Sequence, residues 1–155
     1  MAEELRTRDV PVILGPIMRR PLEAYDPQDA PYANAARLHA AGVRFSIRSD
    51  SASNSRNAPF EAGMAVAYGL PEEEAIKALT LSAAEIFDLD QELGSLTVGK
   101  RANLIILDGS PLQQTSMVHA IMIDGEPYSP ESRHTRLYRR YRQRLQIPPA
   151  SASQK

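Results

Sequence analysis

Val43-Arg44-Phe45-Ser46-Ile47-Arg48-Ser49-Asp50 is the stretch on which the fold turns. It alternates with period two and stops at Ser49-Asp50, so it reads as a strand. Upstream, Val10-Pro11-Val12-Ile13-Leu14-Gly15 is short, apolar and β-branched, bounded by charge before it and by Gly15-Pro16 after it. That pattern predicts a strand buried on both faces, of the kind found in parallel sheets. Between the two, Tyr32 to Ala41 is alanine-rich and helix-favouring, and Gly42 stands where a C′ glycine would end the helix. Strand, loop, helix, strand is a βαβ unit with its crossover helix in place.

The remaining segments extend an α/β pattern into a β-rich one. Residues 16–31 carry Pro16, Pro21, Pro27 and Pro31 and no apolar period, which predicts a long loop of functional interest. After Asp50, residues 51–57 form a polar, turn-rich loop. Pro59 to Tyr68 reads as a helix ending at Gly69. Pro71 suits a first helical turn, Glu72, Glu73 and Glu74 suit its positive end, and Ala75, Ile76, Ala78 and Leu79 supply its apolar face. Ser82-Ala83-Ala84-Glu85 matches a capping box opening a further short helix. From Gly94 onward, apolar runs alternate with Gly, Asp and Pro turns: 94–99, 104–109 and 118–125 read as short strands. Residues 134–145 put Leu137, Tyr138, Tyr141 and Leu145 on one helical stripe amid six arginines counted from Arg133, and 148–155 reads as a disordered tail.

Composition narrows the function classes. The 155 residues carry a net charge of -1, 43% hydrophobic residues and no cysteine. A disulfide framework and a zinc-thiolate site are therefore excluded. No apolar stretch approaches the roughly 18 residues of a membrane span, so no membrane partner is expected. The first residues mix charges without an apolar core, so this stretch holds no signal peptide, and the cytoplasm is the default expectation. Residues 1–130 hold 11 Lys+Arg against 18 Asp+Glu, whereas 131–155 hold 7 against 1. The basic helix invites a nucleic-acid reading. Its Tyr and Leu stripe argues instead for docking on its own acidic body, so no nucleic-acid partner is expected.

Asp50 is the leading candidate for chemistry. It stands where a strand of a βαβ unit gives way to a loop, the edge at which parallel α/β folds bind ligands. A carboxylate there can ligate a metal or move a proton. The plainer alternative is that it caps the following turn. His39, His119 and His134 are scattered without any metal-binding spacing, and read as surface or packing residues. Ser49, Ser51, Ser53 and Ser55 lack a nucleophile elbow and a nearby histidine. Gly94, Gly99, Gly109 and Gly125 are turn glycines and form no phosphate loop.

Two longer segments carry a resemblance. Ala78-Leu79-Thr80-Leu81-Ser82-Ala83-Ala84-Glu85-Ile86-Phe87, followed by residues 94–112 (GSLTVGKRANLIILDGSPL), resembles the C-terminal signature of the metal-dependent amidohydrolase superfamily, in its imidazolonepropionase-like branch. Val12 to Asp50 is similar to the last two barrel strands of that branch. The resemblance implies a (β/α)8 barrel with a small β-sandwich assembled from both chain ends. Strand 10–15 would be barrel strand seven and strand 43–49 strand eight. A whole barrel takes about 250 residues, so the chain looks like the last third or so of such an enzyme. The expected division is 1–92 as the closing part of the barrel, 93–130 as sandwich strands, 131–147 as a basic amphipathic helix and 148–155 as the tail.

By resemblance, the parent activity is metal-dependent hydrolysis of a C–N bond in a small-molecule amide, cyclic amides included. Asp50 would bind the metal and handle the proton of the attacking water. The cofactor would be a divalent metal, zinc by family habit. The other family ligands, a His-x-His pair, a lysine or acidic bridge and two further histidines, belong to earlier strands and are not in this chain. The chain by itself is thus expected to be inactive and to hold no metal stably, and to associate with itself or with a complementary N-terminal chain. The alternative is a non-catalytic remnant or interaction module. Asn103 departs from the aspartate of the Gly-Lys-x-Ala-Asp pattern, a change that concerns the sandwich turn.

Overall fold

The computed structural model describes residues 1–23 and 25–146. Its first sheet is the expected parallel pair. β1 (Val12–Leu14) and β2 (Phe45–Ile47) run side by side with Val12 opposite Phe45 and Leu14 opposite Ile47. The crossover is α2 (Ala30–Ala40), which starts two residues earlier than expected, with Pro31 in its first turn where the missing N–H costs nothing. An N-terminal helix without a buried face, α1 (Ala2–Thr7), precedes the sheet; its polar sequence has no apolar period to announce it.

Three helices follow β2 and cover it. A 3-10 turn over Ala52–Asn57 leads into α3 (Ala58–Ala67), then α4 (Glu72–Leu79) and α5 (Leu81–Ile86). Their buried faces are made largely of alanine. The core gathers Ala35, Ala62, Ala65, Ala75 and Ala78 around Ile17, Phe45, Ile47, Leu70 and Leu112. Small side chains bring the backbones close together. At Gly63 of α3, a Cβ would stand 2.9 Å from the Leu112 carbonyl oxygen, so the helix there meets the 110–112 turn backbone to backbone.

Several sequence expectations are corrected. β1 is not buried on both faces: Ile13 is 45% exposed, because its side chain lies on the face opposite to Val12 and Leu14, which pack against the core. β2 reverses the period-two expectation, with Phe45, Ser46 and Ile47 all buried between β1 and the helices. Pro71 sits at the N-cap, one residue before α4. The Ser82–Glu85 capping box does not form, because α5 opens at Leu81 and places Ser82 inside its first turn. Thr80, at the N-cap, turns its hydroxyl back to donate to the Ile76 carbonyl (2.8 Å).

The second sheet is antiparallel, in the order β3 (Leu104–Leu107), β4 (Val118–Ile123), β5 (Glu126–Tyr128). Residues 94–99 form turns rather than the expected strand, with Leu96 88% exposed. The segment pairs with no strand among the described residues. The β4–β5 hairpin closes through Asp124 and Gly125, both at positive φ (50° and 84°), as a two-residue hairpin turn demands. Asn103 pins that turn by accepting the Asp124 N–H at 2.7 Å.

α6 (Arg133–Arg144) forms as expected, but of its stripe only Leu137 is half-buried. Tyr138, Tyr141 and Leu145 are 58%, 52% and 65% exposed. What holds the helix is a local device: Ser132 Oγ accepts from the Thr135 N–H (3.1 Å) while Thr135 Oγ1 accepts from the Ser132 N–H (2.9 Å). The tail expected over 148–155 lies outside the described residues. No described helix is long and apolar enough to cross a membrane.

The β3 terminus generates a pH prediction. Asp108 Oδ1 accepts the Met117 N–H at 2.7 Å, and His119 lies 3.5 Å from its other oxygen. The Met117 bond foremost, with His119 adding to it, holds the carboxyl below its ordinary value of 3.8. A lowered native pKa stabilises the fold above the ordinary value, and that contribution is lost as pH falls through the lowered one. Asp108→Asn is expected to lower the urea midpoint at neutral pH, and the difference from wild type should shrink in acid below 3.8.

Candidate active site

The C-terminal ends of β1 and β2 lie together, and the loops that leave them form the candidate site. β2 runs through Arg48 and Ser49 to Asp50, whose φ of 74° sets it in the left-handed region that a non-glycine residue adopts only where its surroundings hold it. Its carboxylate does not cap the following turn. It pairs with Arg48, Nη1 to Oδ1 at 3.0 Å, and remains 54% exposed. Arg48 Nη1 also donates to the Asp50 carbonyl oxygen (3.4 Å), so one guanidinium grips both the side chain and the backbone of Asp50.

β1 leaves its sheet at the same edge through Gly15 and a cis bond to Pro16. Gly15 has φ 145°, and a Cβ on it would lie 2.2 Å from the Arg48 carbonyl oxygen. Only glycine fits such a contact. Arg48 in turn donates its N–H to the Leu14 carbonyl (2.9 Å), which closes the parallel pair at its last rung.

Sequence reading missed Glu61. It sits in the first turn of α3 and is 6% exposed, yet it carries a carboxylate. Its Oε2 accepts the N–H of Ile17 at 2.6 Å and of Met18 at 2.7 Å. Those two donors belong to the first residues past Pro16, where no ladder satisfies them. The available signal was a lone acidic residue on the apolar face of a helix, next to Ala62 and Ala65.

The other candidates do not gather at this edge. His39 of α2 faces Glu74 (3.8 Å), His119 of β4 faces Asp108, and His134 lies in the first turn of α6. Ser51 and Ser53 pair with each other (3.0 Å), and Ser55 donates to the Ala52 carbonyl (2.9 Å). An open apolar cleft of about 780 Å³ lies elsewhere, lined by Ile76, Leu79, Phe87, Leu93 and Leu104. A smaller one of about 300 Å³, with His39, Arg44, Glu74 and Lys77, is at the opposite end of β2.

Among the described residues no group of three or more His, Cys, Asp or Glu could hold a metal ion. Asp50 alone, with a cationic guanidinium against it, does not fit a catalytic zinc, which takes about three or four protein ligands. The arrangement offers an exposed carboxylate, fixed in position at the end of a parallel strand.

Comparison with known proteins gives the family. The sequence model of the amidohydrolase family matches residues 30–129. The chain belongs to the amidohydrolase family. Its curated relatives are imidazolonepropionases. That of Picrophilus torridus is 40% identical over 83 residues, covering 52% of this chain and 21% of the relative. That of Parabacteroides distasonis is 31% identical over 118 residues, covering 70% of this chain and 28% of the relative. Among solved structures, an amidohydrolase from Thermotoga maritima MSB8 superposes with a TM-score of 0.73 at 27% identity, over 83% of this chain and 33% of that one. The chain thus spans about a quarter of the length of the curated relatives it matches. It is an α/β member of a barrel superfamily, in the imidazolonepropionase-like branch.

Two substitutions test the edge. Gly15→Ala is expected to cost about 2 kcal/mol or more, because the new methyl has no space and the φ is strained. Glu61→Ala is expected to cost about 3 kcal/mol by leaving two backbone donors without their buried acceptor. Both are read as a drop in urea midpoint at unchanged slope.

Proposed function

We propose that this chain is the C-terminal part of a metal-dependent amidohydrolase that hydrolyses a C–N bond in a small-molecule amide, with cyclic amides of the imidazolone type as first candidates. In this reading residues 1–92 close the barrel, with β1 and β2 as its last two strands, and 93–130 contribute strands to a small β-sandwich. The observation that carries it is the position of Asp50, exposed at the C-terminal end of the second of two parallel strands. The imidazolonepropionase relatives support the substrate class.

Asp50 is the proton-handling group. It takes a proton from the attacking water as the new C–O bond forms, and delivers it to the nitrogen as the C–N bond breaks. Arg48 holds the carboxylate at the strand end, and the segments that follow β1 and β2 flank the substrate. A divalent metal, zinc by family resemblance, enters this reading only through donors beyond the described residues.

A complementary polypeptide, or a second copy, completes the fold. Ile13 on β1 and Ile105 and Ile106 on β3 are 45%, 52% and 54% exposed, and apolar strand surface of that kind calls for cover. The protein captured from its own host through a tag at Lys155 should have a mass well above 17.1 kDa and contain metal. It should hydrolyse imidazolonepropionate or a related cyclic amide, and Asp50→Ala should lower kcat by about 10³-fold or more. Recovery of the 155-residue chain alone, metal-free and inactive, would overturn the proposal.

A further inference from the structure

We propose that Glu61 is a positioning residue for Asp50, acting through the backbone that leaves β1; the inference rests on reading Asp50 as the proton-handling carboxylate. A carboxylate is costly to bury unless its hydrogen bonds replace those of water. Glu61 has that compensation in an uncommon form. A single oxygen, Oε2, takes two consecutive backbone donors, Ile17 and Met18, at 2.6 and 2.7 Å. Charge-assisted bonds of that length are stiffer than neutral ones. They fasten the chain two and three residues past Gly15, and Ile17, only 1% exposed, is packed in the core beside them.

From there the coupling to Asp50 is a chain of direct contacts. Gly15 lies against the Arg48 carbonyl so closely that a Cβ could not intervene. The Arg48 N–H is bonded to the Leu14 carbonyl at 2.9 Å, immediately before Gly15. The Arg48 guanidinium reaches Asp50 at 3.0 Å. A shift of Ile17 and Met18 therefore moves the floor under Arg48, and Arg48 carries Asp50. The left-handed backbone of Asp50, at φ 74°, has no preference of its own to restore the geometry. A residue that merely filled the core at position 61 would need neither the charge nor the two bonds.

Amide hydrogen exchange on the full chain tests the relay. Glu61→Gln keeps the shape and one acceptor but loses the charge, whereas Glu61→Ala loses both. Both variants should speed exchange at Ile17 and Met18, by about tenfold or more for Ala and less for Gln. Exchange at the Arg48 amide should accelerate in the same order. Accelerated exchange at Ile17 and Met18 with Arg48 unchanged would make the role of Glu61 purely local and overturn the proposal, as would unchanged exchange at all three. Should the Ala variant fail to fold, the Gln variant alone decides by the same criterion. In the hydrolysing species, Glu61→Gln should lower kcat by about tenfold with KM changed less than about twofold. A rise in KM at unchanged kcat would overturn it. These outcomes differ from failure of the functional reading, which would appear as turnover unaffected by Asp50→Ala.

Discussion

The contact between Gly15 and the carbonyl of Arg48 is the constraint on which the arrangement depends. Two parallel strands that end together must send their chains apart, and here the separation happens with no side chain between the backbones. The glycine permits both the φ of 145° and the approach. Everything at the candidate site is arranged around that crossing: Pro16 turns the β1 exit, Glu61 fastens the residues after it, and Arg48 holds Asp50 on the other side.

The parallel pair was legible because its signals are local. Apolar β-branched residues at 12–14, alternation at 43–48 and an alanine-rich helix closed by Gly42 each report on their own neighbours. The strand end before Asp50 was legible for the same reason, since Ser-Asp after alternating residues marks a strand end. Glu61 was not. Its hydrogen-bond donors are 44 and 43 residues away, and its place on the apolar face beside Ala62 and Ala65 is the one local sign that the carboxylate turns inward. The capping device of α6 escaped because its third position is Thr135 in place of the usual Glu or Gln.

Where the reading failed, the cause was tertiary. Residues 94–99 have strand-like composition, but a strand is completed by its partner, and turns form instead. Ile13 was expected in a two-sided interior, but the core covers only the face that Val12 and Leu14 present. The aromatic stripe of α6 was expected against the acidic body, yet Tyr138, Tyr141 and Leu145 stay more than half exposed and a capping box holds the helix start. The curated relatives that the chain matches are several times longer than it is.

The alanine-rich core has a thermal consequence. Among the described residues Ile17 and Leu70 are the largest side chains exposed by no more than 2%, and five of the ten core residues are alanines that uncover only a methyl when the chain opens. The heat capacity of unfolding follows the apolar surface that opening uncovers. A core of this kind uncovers little, so the stability of the chain follows a broad, shallow curve against temperature.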